Sequence, residues 1–466
     1  MAETTIRDIS QTTFYREINK VINGDESGRC TNKWSANLFA NNKQAKVYYL
    51  SGINNIRDYV NQYTDAICID LVLSGQEYEH LVVPNRHKLS IRLFKEKQAM
   101  FSGKTSDESI VSQEFVAMLY DNSSGIVEGN ALDIVTGDGA SLVTVRFFLI
   151  NKTIENLRLK TYGTTIRETI AAEAIRGILH QETVKSAEVT SEIYNGLELA
   201  PGYNTVIKKQ IPIDHGTDLI GENSLIREVE EQSGGIYNAG FNYYYQQGFW
   251  YLYPPFDTAR TDLNGNKTLT VITVPQHRFP GIETTYRTTP TQVIVLSTGA
   301  AMHQDSSNTA QKNEGNAVMY VDSNKIYNDF YKMEGDKLIV DSKKNVNNFG
   351  LTETERATNS SEVAVKNKGV TSKYFKEFSK LSLKLGMVVG CKWENGDPDL
   401  IYPGMPVTYM YLDNDQARQV NGTVIGVSII VSSQGQGAAD HKDNRKFNTS
   451  ILLTLYIANK IEVTAK

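Results

Sequence analysis

The sequence lacks the features that mark an exported, membrane-inserted or metal-stapled protein. Its 466 residues include only three cysteines, Cys30, Cys68 and Cys391, and their wide spacing argues against a disulfide framework and a structural zinc site. No run of about 18 apolar residues occurs, and the polar opening MAETTIRDIS has no signal-peptide core. We therefore expect synthesis in a cytoplasm and no membrane anchor.

An excess of charge of one sign is also missing. The chain has 48 Lys and Arg against 53 Asp and Glu, a formal net charge of −5, and no basic block stands out. Tight binding to nucleic acid or to an anionic membrane needs such a block. Neither partner is predicted.

Motifs of catalysis and cofactor binding are absent from the chain. It contains no HExxH, GxSxG, Walker or GxGxxG pattern. His80 and His87 have a spacing that could ligate a metal, but no third ligand is evident and a surface loop is favoured. His215 follows Asp214 as in a catalytic pair, although a turn before a helix explains the sequence more simply. We predict no catalytic, cofactor-binding or metal-binding residue.

Two acidic segments also fail as sites. DLNGNK from Asp262 begins like a calcium loop, but Lys267 occupies the position at which an EF-hand needs Gly. DIVTGDG from Asp133 brings two carboxylates together without other support for a glycosidase. The first segment is predicted to be a turn, and a hidden hydrolase is the least favoured alternative.

An aromatic segment is the most unusual part of the sequence. Ten of the twenty residues from Tyr237 to Phe256 are aromatic. A base-stacking platform would need nearby Lys or Arg, and no basic residue occurs between Arg227 and Arg260. A sugar-binding platform and the buried half of a hairpin remain, with the hairpin favoured: strands at 242–245 and 249–253, joined by Gln-Gln-Gly and ended by Pro-Pro.

The remaining chain predicts a mainly β fold with an α+β insert. Strand patterns begin at Ala66, Leu89, Glu114 and Leu142, with loop-like sequence at 95–113 and 121–130, and strands return at 402–412, 420–433 and 447–459 with a tight turn at Asn421. The predicted domains are a first β-barrel (1–151), the insert (152–262), strands plus a polar arm (263–380) and a second barrel (381–466). Strands in 267–298 are an alternative completion of the first barrel.

Two helices are expected in the insert. Thr165 and Glu168 form a capping-box pattern that predicts a helix over 164–181. A second helix over 218–233 is predicted to end at Gly234 and Gly235. The arm at 300–373 is too polar to own a core and is expected to lie on a neighbouring domain or subunit.

Two segments resemble baseplate hub proteins of contractile-tailed phages. In 209–257 an Ile-Pro turn, a helix, a Gly-x-Tyr step and an aromatic hairpin ending in Pro follow one another. In 400–459 a Pro-Gly-Met turn leads into a strand, a loop and two long strands, similar to that family's last, tube-protein-like barrel. Together the segments cover about two fifths of the chain, and their order is more specific than either motif.

The resemblance implies a structural virion protein without cofactors. Hubs of this family are homotrimers with two tube-like barrels per subunit, so they join the hexameric tail tube to the trimeric spike and enclose a channel through which DNA passes without specific binding. The implied location is the tail baseplate. The alternatives are another tail component, such as an adaptor, a terminator or a receptor-binding protein with an aromatic sugar platform, and a phage cell-wall hydrolase; exposure of Trp250 would favour the sugar platform.

Overall fold

The structure, a computed structural model, describes most of the chain outside the polar arm. The described residues are 7–9, 11–23, 27–101, 104–105, 109–120, 135–137, 140–203, 210–221, 223–233, 235–237, 240–258, 267–275, 285–298, 302–305, 331–334, 337–340, 386–413, 416–434 and 446–458. Most of the arm, the segment 121–130 and both Asp133 and Asp262 lie outside these residues.

The N-terminal third is mostly strand. Its elements are β1 (Arg7–Ile9), α1 (Gln11–Ile22), β2 (Ser27–Ala40), β3 (Lys43–Ala45), β4 (Val47–Asp58), β5 (Ala66–Ser74), α2 (Gly75–Glu77), β6 (Leu89–Phe101), β7 (Lys104–Thr105), β8 (Ser109–Leu119), β9 (Val135–Gly137) and β10 (Ala140–Asn151).

The insert mixes helices with short strands. It comprises α3 (Lys152–Arg158), β11 (Thr161–Ile166), α4 (Ala171–Thr190), β12 (Gly196–Leu199), β13 (Ile211–Asp218), α5 (Leu225–Ser233), β14 (Asn242–Gln246) and β15 (Phe249–Tyr253).

The described C-terminal part is again β. It contains β16 (Thr268–Val274), β17 (Thr285–Thr288), β18 (Gln292–Thr298), β19 (Met302–Asp305), β20 (Tyr331–Glu334), β21 (Lys337–Val340), β22 (Gly386–Glu394), β23 (Pro406–Asp413), β24 (Gln416–Gln434) and β25 (Lys446–Ala458). The fold is mainly β with an α+β insert, as the sequence predicts.

Strands of the N-terminal part form a ring of ladders, here called the first ring. Antiparallel ladders connect β2, β6, β8, β10, β5 and β4 in that order. The ring returns to β2 through β3, which pairs with β2 and precedes β4 by one residue. Side chains such as Leu38, Ile69, Ile91 and Phe147 fill its interior and are fully buried.

Strands of the C-terminal part form a second ring. Its ladders connect β16, β23, β24, β25, β22 and β19. The ring returns to β16 through β18, which pairs with β16 and is separated from β19 by residues 299–301. Residues 267–298 thus contribute β16 and β18 to the second ring, whereas β17 pairs with both β18 and β2.

The two rings share one strand order. Numbered along the chain, the strands are β2, β3–β4, β5, β6, β8 and β10 in the first ring and β16, β18–β19, β22, β23, β24 and β25 in the second. Around each ring the order is first, fourth, fifth, sixth, third, second. Five strands also keep their directions; the first differs, since β2 is antiparallel and β16 parallel to both neighbours.

One ladder joins the rings into a continuous sheet. Residues 52–58 of β4 pair antiparallel with residues 426–432 of β24. The resulting sheet runs β8–β10–β5–β4–β24–β25–β22–β19, which is the four-strand series fifth, sixth, third, second, written twice.

The N-terminal helix packs on the second ring. Phe14, Ile18 and Val21 of α1 are buried in a cluster with residues of β16, β18, β23 and β24. The strand before it, β1, pairs with β24 at residues 417–419. The first described residues of the chain therefore cover the ring formed by its last residues.

The helix predicted over 164–181, which corresponds to α4, begins later than predicted. Thr165 and Ile166 belong to β11, which pairs with β13, so they cannot form the first helical turn. Glu168 has φ of 53°, outside the helical region, and α4 begins only at Ala171. The capping-box prediction is wrong because pairing with a distant strand outweighs the local cap.

The helix predicted over 218–233, which corresponds to α5, ends where predicted. The Gly235 N–H, in a residue with φ of 93°, donates to the Glu230 carbonyl oxygen, which caps α5. Helix α5 begins later than the predicted residue 218, because Asp218 is the last residue of β13 and α5 begins at Leu225.

Two predictions about loops and turns are wrong. Asn421 and Gly422 lie inside β24, where Asn421 pairs with Thr408 and Gly422 with both Val407 and Ile457. Residues of the segment 95–113, predicted to be a loop, extend β6 and β8. The ladder between these strands runs from Leu89 opposite Ala117 to Lys97 opposite Ser109. Cross-strand pairing on both edges keeps these polar sequences extended.

We predict that Gly422→Ala destabilises the protein by about 1–3 kcal/mol, because a Cβ there would lie 2.2 Å from the Tyr456 carbonyl oxygen. The control is Gly177→Ala in α4, where nothing lies within 4 Å of the added carbon and the helix gains about 0.5–1 kcal/mol. Urea unfolding measures both changes. Equal effects of the two substitutions would contradict the packing of β24 on β25.

Candidate functional site: a buried junction between three units

The aromatic segment forms the predicted hairpin. Strands β14 and β15 pair from Asn242 opposite Tyr253 to Gln246 opposite Phe249. The two turn residues, Gln247 and Gly248, have φ of 52° and 75°, which is the geometry of a type I′ hairpin turn. Strand β12 adds to β15 in parallel and completes a three-stranded sheet.

Most aromatic side chains of the hairpin are buried, whereas Phe249 and Tyr251 are half-buried. Trp250 is 0% exposed, and its Nε1 donates a hydrogen bond of 2.8 Å to Thr183 Oγ1 of α4. The rings of Tyr243 and Tyr245 lie 5.9 and 5.0 Å from that of Trp250. A sugar platform based on Trp250 is therefore excluded, since a stacking sugar needs an exposed ring face.

The hairpin is hydrogen-bonded to the turn that follows β4. Asn242 Nδ2 donates to the carbonyl oxygens of Tyr59 (2.8 Å) and Gln62 (3.0 Å). The Tyr253 hydroxyl also donates to the Tyr59 carbonyl, and the Tyr245 N–H donates to the Tyr63 carbonyl. Because these contacts satisfy buried carbonyls, they fix the insert to the first ring.

A buried ion pair lies beside this contact. Arg57 Nε donates to Asp65 Oδ2 at 2.9 Å, and the two side chains are 7% and 16% exposed. The Tyr244 hydroxyl donates to the other carboxylate oxygen of Asp65 at 3.0 Å. Arg57 Nη1 donates to the Pro398 carbonyl at 3.0 Å, which reaches the segment between β22 and β23.

Burial and the carboxylate act in opposite directions on the arginine. Burial alone would lower the pKa of Arg57, but the nearby Asp65 carboxylate contributes to a net pKa above the ordinary value. Burial, followed by the charge of Asp65, raises the pKa of Tyr244 well above its usual range. Tyr244 is therefore a neutral donor, and Arg57 a cation, at neutral pH.

A second path leads from the first ring through the hairpin to the second ring. The Tyr59 hydroxyl donates to Gln246 Oε1 at 3.0 Å, and Gln246 Nε2 donates to the Ile401 carbonyl at 2.8 Å. We call the set Arg57, Tyr59, Asp65, Tyr244 and Gln246, with the carbonyls of Pro398 and Ile401, the three-way junction. It connects the first ring, the insert and the second ring by buried hydrogen bonds.

Arg227 of α5 holds the helix against the hairpin. Its Nη1 donates to Glu230 Oε2 at 2.9 Å and to the Phe241 carbonyl at 3.0 Å, and its Nη2 donates to Asn242 Oδ1 at 2.6 Å. The guanidinium lies 5.2 Å from the centre of the Tyr243 ring. Asn242 is thereby oriented so that its amide nitrogen faces the first ring.

The histidines singled out from sequence do not form a site. His80 is exposed in a π-helical turn over Tyr78–Val82, and His87 is exposed just before β6. His215 is exposed in β13, where the register of the β11–β13 ladder shifts; a Cβ on Gly163 would meet its ring at 2.1 Å. Among the described residues, no group of three His, Cys, Asp or Glu side chains could hold a metal ion.

The three cysteines are not joined by disulfides; Cys30 and Cys391 are buried and Cys68 is half-buried. Lys267, which spoils the calcium-loop pattern, donates to Thr288 Oγ1 of β17 at 2.9 Å. In the part of the chain that the structure describes, no helix is long and apolar enough to cross a membrane.

Comparison with known proteins gives tail and secretion-system structures. No protein-family model and no curated protein matches the chain. The chain is similar to a tail protein from Neisseria meningitidis (8% identity, TM-score 0.38, covering 91% of this chain and 96% of that one). It is also similar to the 43 kDa tail protein of prophage MuSo2 from Shewanella oneidensis (10%, 0.39, 90% and 98%).

A third similar structure is an Escherichia coli component of the type VI secretion system (7% identity, TM-score 0.35, covering 91% of this chain and 77% of that one). The first two structures are tail proteins, and the third is a secretion-system component. Because the TM-scores are below 0.5, the fold class of this chain rests on its own ladders.

We predict that Asp65→Asn destabilises the protein by about 3–5 kcal/mol, because it leaves the Arg57 charge buried without its carboxylate. The control is Glu17→Gln, which removes the carboxylate of an exposed pair with Lys20 and should cost about 1 kcal/mol or less. Denaturant unfolding compares them. Similar losses in the two variants would show that the junction contributes no more than a surface pair.

Glu182 should make stability depend on acid pH. Burial would raise the pKa of this carboxyl, but hydrogen bonds from Lys185, Tyr162 and Lys160 lower it from 4.5 to about 2. Because the pKa of Glu182 is lower in the folded state than in the unfolded state, its ionised carboxylate stabilises the fold above the unfolded-state pKa. This stabilisation is lost as the pH falls from about 4.5 towards 2.

We therefore expect the stability difference between wild type and Glu182→Gln to shrink over that pH range. Thermal unfolding at pH 7, 4 and 2.5 measures the difference. A gap that stays constant across these pH values would contradict the hydrogen-bonded carboxylate.

Proposed function

We propose that the chain is a baseplate hub subunit that joins a six-fold tail tube to a three-fold spike. The observation that carries the proposal is the repeated series of four strands in one sheet, β8–β10–β5–β4 followed by β24–β25–β22–β19. The sequence resemblance to hub proteins supports the same role.

The repeat matches the symmetry problem that a hub must solve. Three copies of a chain with one such unit would offer three seats to a six-fold tube, and alternate tube subunits would lack a partner. Three copies with two units offer six. The reversed first strand lies on the far side of each ring from this series, since β2 and β16 are not part of the continuous sheet.

One face of the continuous sheet packs into the rings, and we call the opposite face the bare face. Phe256 covers it around Tyr456, but most of it away from that cluster carries exposed side chains. Ile429 and Ile451 point into the second ring and are 4% and 0% exposed, whereas Ile430 and Leu452 beside them are 53% and 40% exposed. If the rings stand around an axis with their bulk outward, the bare face lines a central channel.

The charge of the bare face suits the passage of DNA. Its described cations are paired: Arg146 donates to both oxygens of Asp70 at 2.7 and 2.9 Å, and Lys392 lies 2.5 Å from Glu394. Retention of DNA requires unpaired cations that neutralise phosphates and release counterions. A wall with paired cations lets the polymer cross without binding.

The three-way junction gives such a hub stiffness. A load applied to either ring reaches the other through the β4–β24 ladder and through the hydrogen bonds of Arg57 and Gln246. The role is structural, and the alternative of a sugar-binding tail protein loses its support because Trp250 is buried.

Light scattering of the purified protein tests the proposal. We expect a trimer of the 52.1 kDa chain, either alone or as three chains in a complex with the trimeric spike, and two tube subunits bound per chain. A monomer under both conditions, or one tube subunit per chain, would contradict the hub.

A further inference from the structure

Three buried polar side chains come together where the second ring reaches β2 of the first ring. Asn32 of β2, Trp393 of β22 and Thr449 of β25 are 2%, 0% and 2% exposed. Asn32 Nδ2, Trp393 Nε1 and Thr449 Oγ1 have no hydrogen-bond partner among the described residues. We call these three side chains the seam cluster. Buried polar atoms of folded proteins are almost always paired, either with protein atoms or with ordered water.

Two backbone hydrogen bonds bring the strands of the seam cluster together. The Cys30 N–H donates to the Asn395 carbonyl oxygen, and the Asn395 N–H donates to the Thr449 carbonyl oxygen, both at 2.8 Å. Trp393 lies opposite Ile451 in the ladder between β22 and β25. Because Ile451 is two residues from Thr449, the side chains of Trp393 and Thr449 lie on the same face of these strands.

Asn32 is connected to the second ring through its neighbours. The Cys30 Sγ donates to Asn32 Oδ1 at 3.7 Å, which leaves the amide nitrogen as the unpaired atom. The Tyr286 ring, on a strand that pairs with β2, packs edge-on against Trp393 with ring centres 5.4 Å apart. Burial raises the pKa of Tyr286, and the acidic groups of Cys30 and Asp397 add to the increase because they lie near its hydroxyl. Members of both rings thus border one buried polar region.

Packing prevents Trp393 from turning towards a protein acceptor. A Cβ on Gly396 would lie 2.2 Å from the indole, so the backbone of the following turn lies directly against the ring. Tyr286 packs against the same ring. The indole is therefore held in an orientation in which the described residues offer its N–H no acceptor.

The chemistry of the seam cluster selects a small neutral ligand. Asn32 Nδ2 and Trp393 Nε1 are hydrogen-bond donors, whereas a metal cation needs ligands with lone pairs. The Asp397 carboxylate, which is 1% exposed and close to Tyr286, repels a buried anion. Water meets both conditions, because it is neutral, accepts from N–H groups and exchanges a hydrogen bond with a hydroxyl.

We propose that ordered water binds the seam cluster, accepting hydrogen bonds from Asn32 and Trp393 and sharing one with the Thr449 hydroxyl. A buried water typically has about three polar partners, which is the number that the cluster supplies. This site goes beyond the proposed function and does not depend on it. The rings then meet in two ways: the β4–β24 ladder joins them directly, whereas water completes the hydrogen bonding of side chains between β2 and the second ring.

Thr449→Val tests the site by the sign of its effect, because the substitution removes the hydroxyl and keeps the shape of the side chain. If the hydroxyl is bonded to water, the variant loses that hydrogen bond, and we expect its unfolding equilibrium constant to rise about 2- to 10-fold. A hydroxyl that is buried without any partner destabilises the fold, so its removal would lower the constant.

Thr423→Val is the matched control. Thr423 is also buried in a strand, and its hydroxyl donates to the Pro255 carbonyl oxygen at 2.7 Å. Denaturant unfolding should show a higher unfolding constant for both variants than for the wild type. A rise for Thr423→Val together with an unchanged or lower constant for Thr449→Val would overturn the proposal.

A high-resolution crystal or electron cryomicroscopy map of the full chain supplies the direct observation. We expect water peaks about 2.7–3.2 Å from Trp393 Nε1 and from Asn32 Nδ2. Two results would contradict the site: well-resolved side chains with no peak beside them, or a peak surrounded only by oxygen ligands, as around a metal ion.

Discussion

The ladder between β4 and β24 is the interaction on which the rest of the structure depends. Seven consecutive residue pairs connect the two rings, from Asp58 opposite Gly426 to Gly52 opposite Ser432. Without this ladder, strand pairing would link the rings only through β17, which pairs with β18 and, over two residues, with β2. With it, β5 and β4 of the first ring lie beside β24 and β25 of the second ring in one sheet. The four-strand series of the first ring is thereby followed by that of the second.

The same strand also builds the junction. Successive side chains of a strand point to opposite faces, so Ile56 lies on the bare face while Arg57 points into the protein, where it is 6% exposed. There Arg57 reaches Asp65 and the Pro398 carbonyl. A buried cation is costly unless it is paired, so the aromatic hairpin, which supplies Tyr244 to the same carboxylate, stabilises the join by completing that pair.

Local patterns predicted the elements that owe their structure to neighbours in sequence. The hairpin strands, the turn at Gly248 and the end of α5 at Gly235 follow from turn and cap chemistry and are confirmed. The strands beginning at Ala66 and Leu89 are apolar enough to be recognised. The burial of Trp250 agrees with the buried hairpin that the strand and turn pattern favoured over a sugar platform.

Elements stabilised by distant partners escaped prediction. Strands β2 and β4 are rich in Ser, Asn and Gly, and only their partners β6, β5 and β24 make them strands. Thr165 joins β11 because β13 pairs with it, which overrides the capping box. Arg57 and Asp65 form no motif, since eight positions separate them and their pairing depends on the chain reversal between β4 and β5. In the sequence, this pair is indicated only by an arginine and an aspartate on either side of a turn that contains Tyr59 and Tyr63.

In the proposed trimer, each chain contributes two equivalent β units to one circle of six around the channel. Cryo-electron microscopy of the assembled protein, averaged with three-fold symmetry only, tests it most directly. We expect six similar β units at one height around an open channel, alternating between first and second rings. A map in which the first and second rings lie at different heights, or in which the bare face points outward, would contradict it.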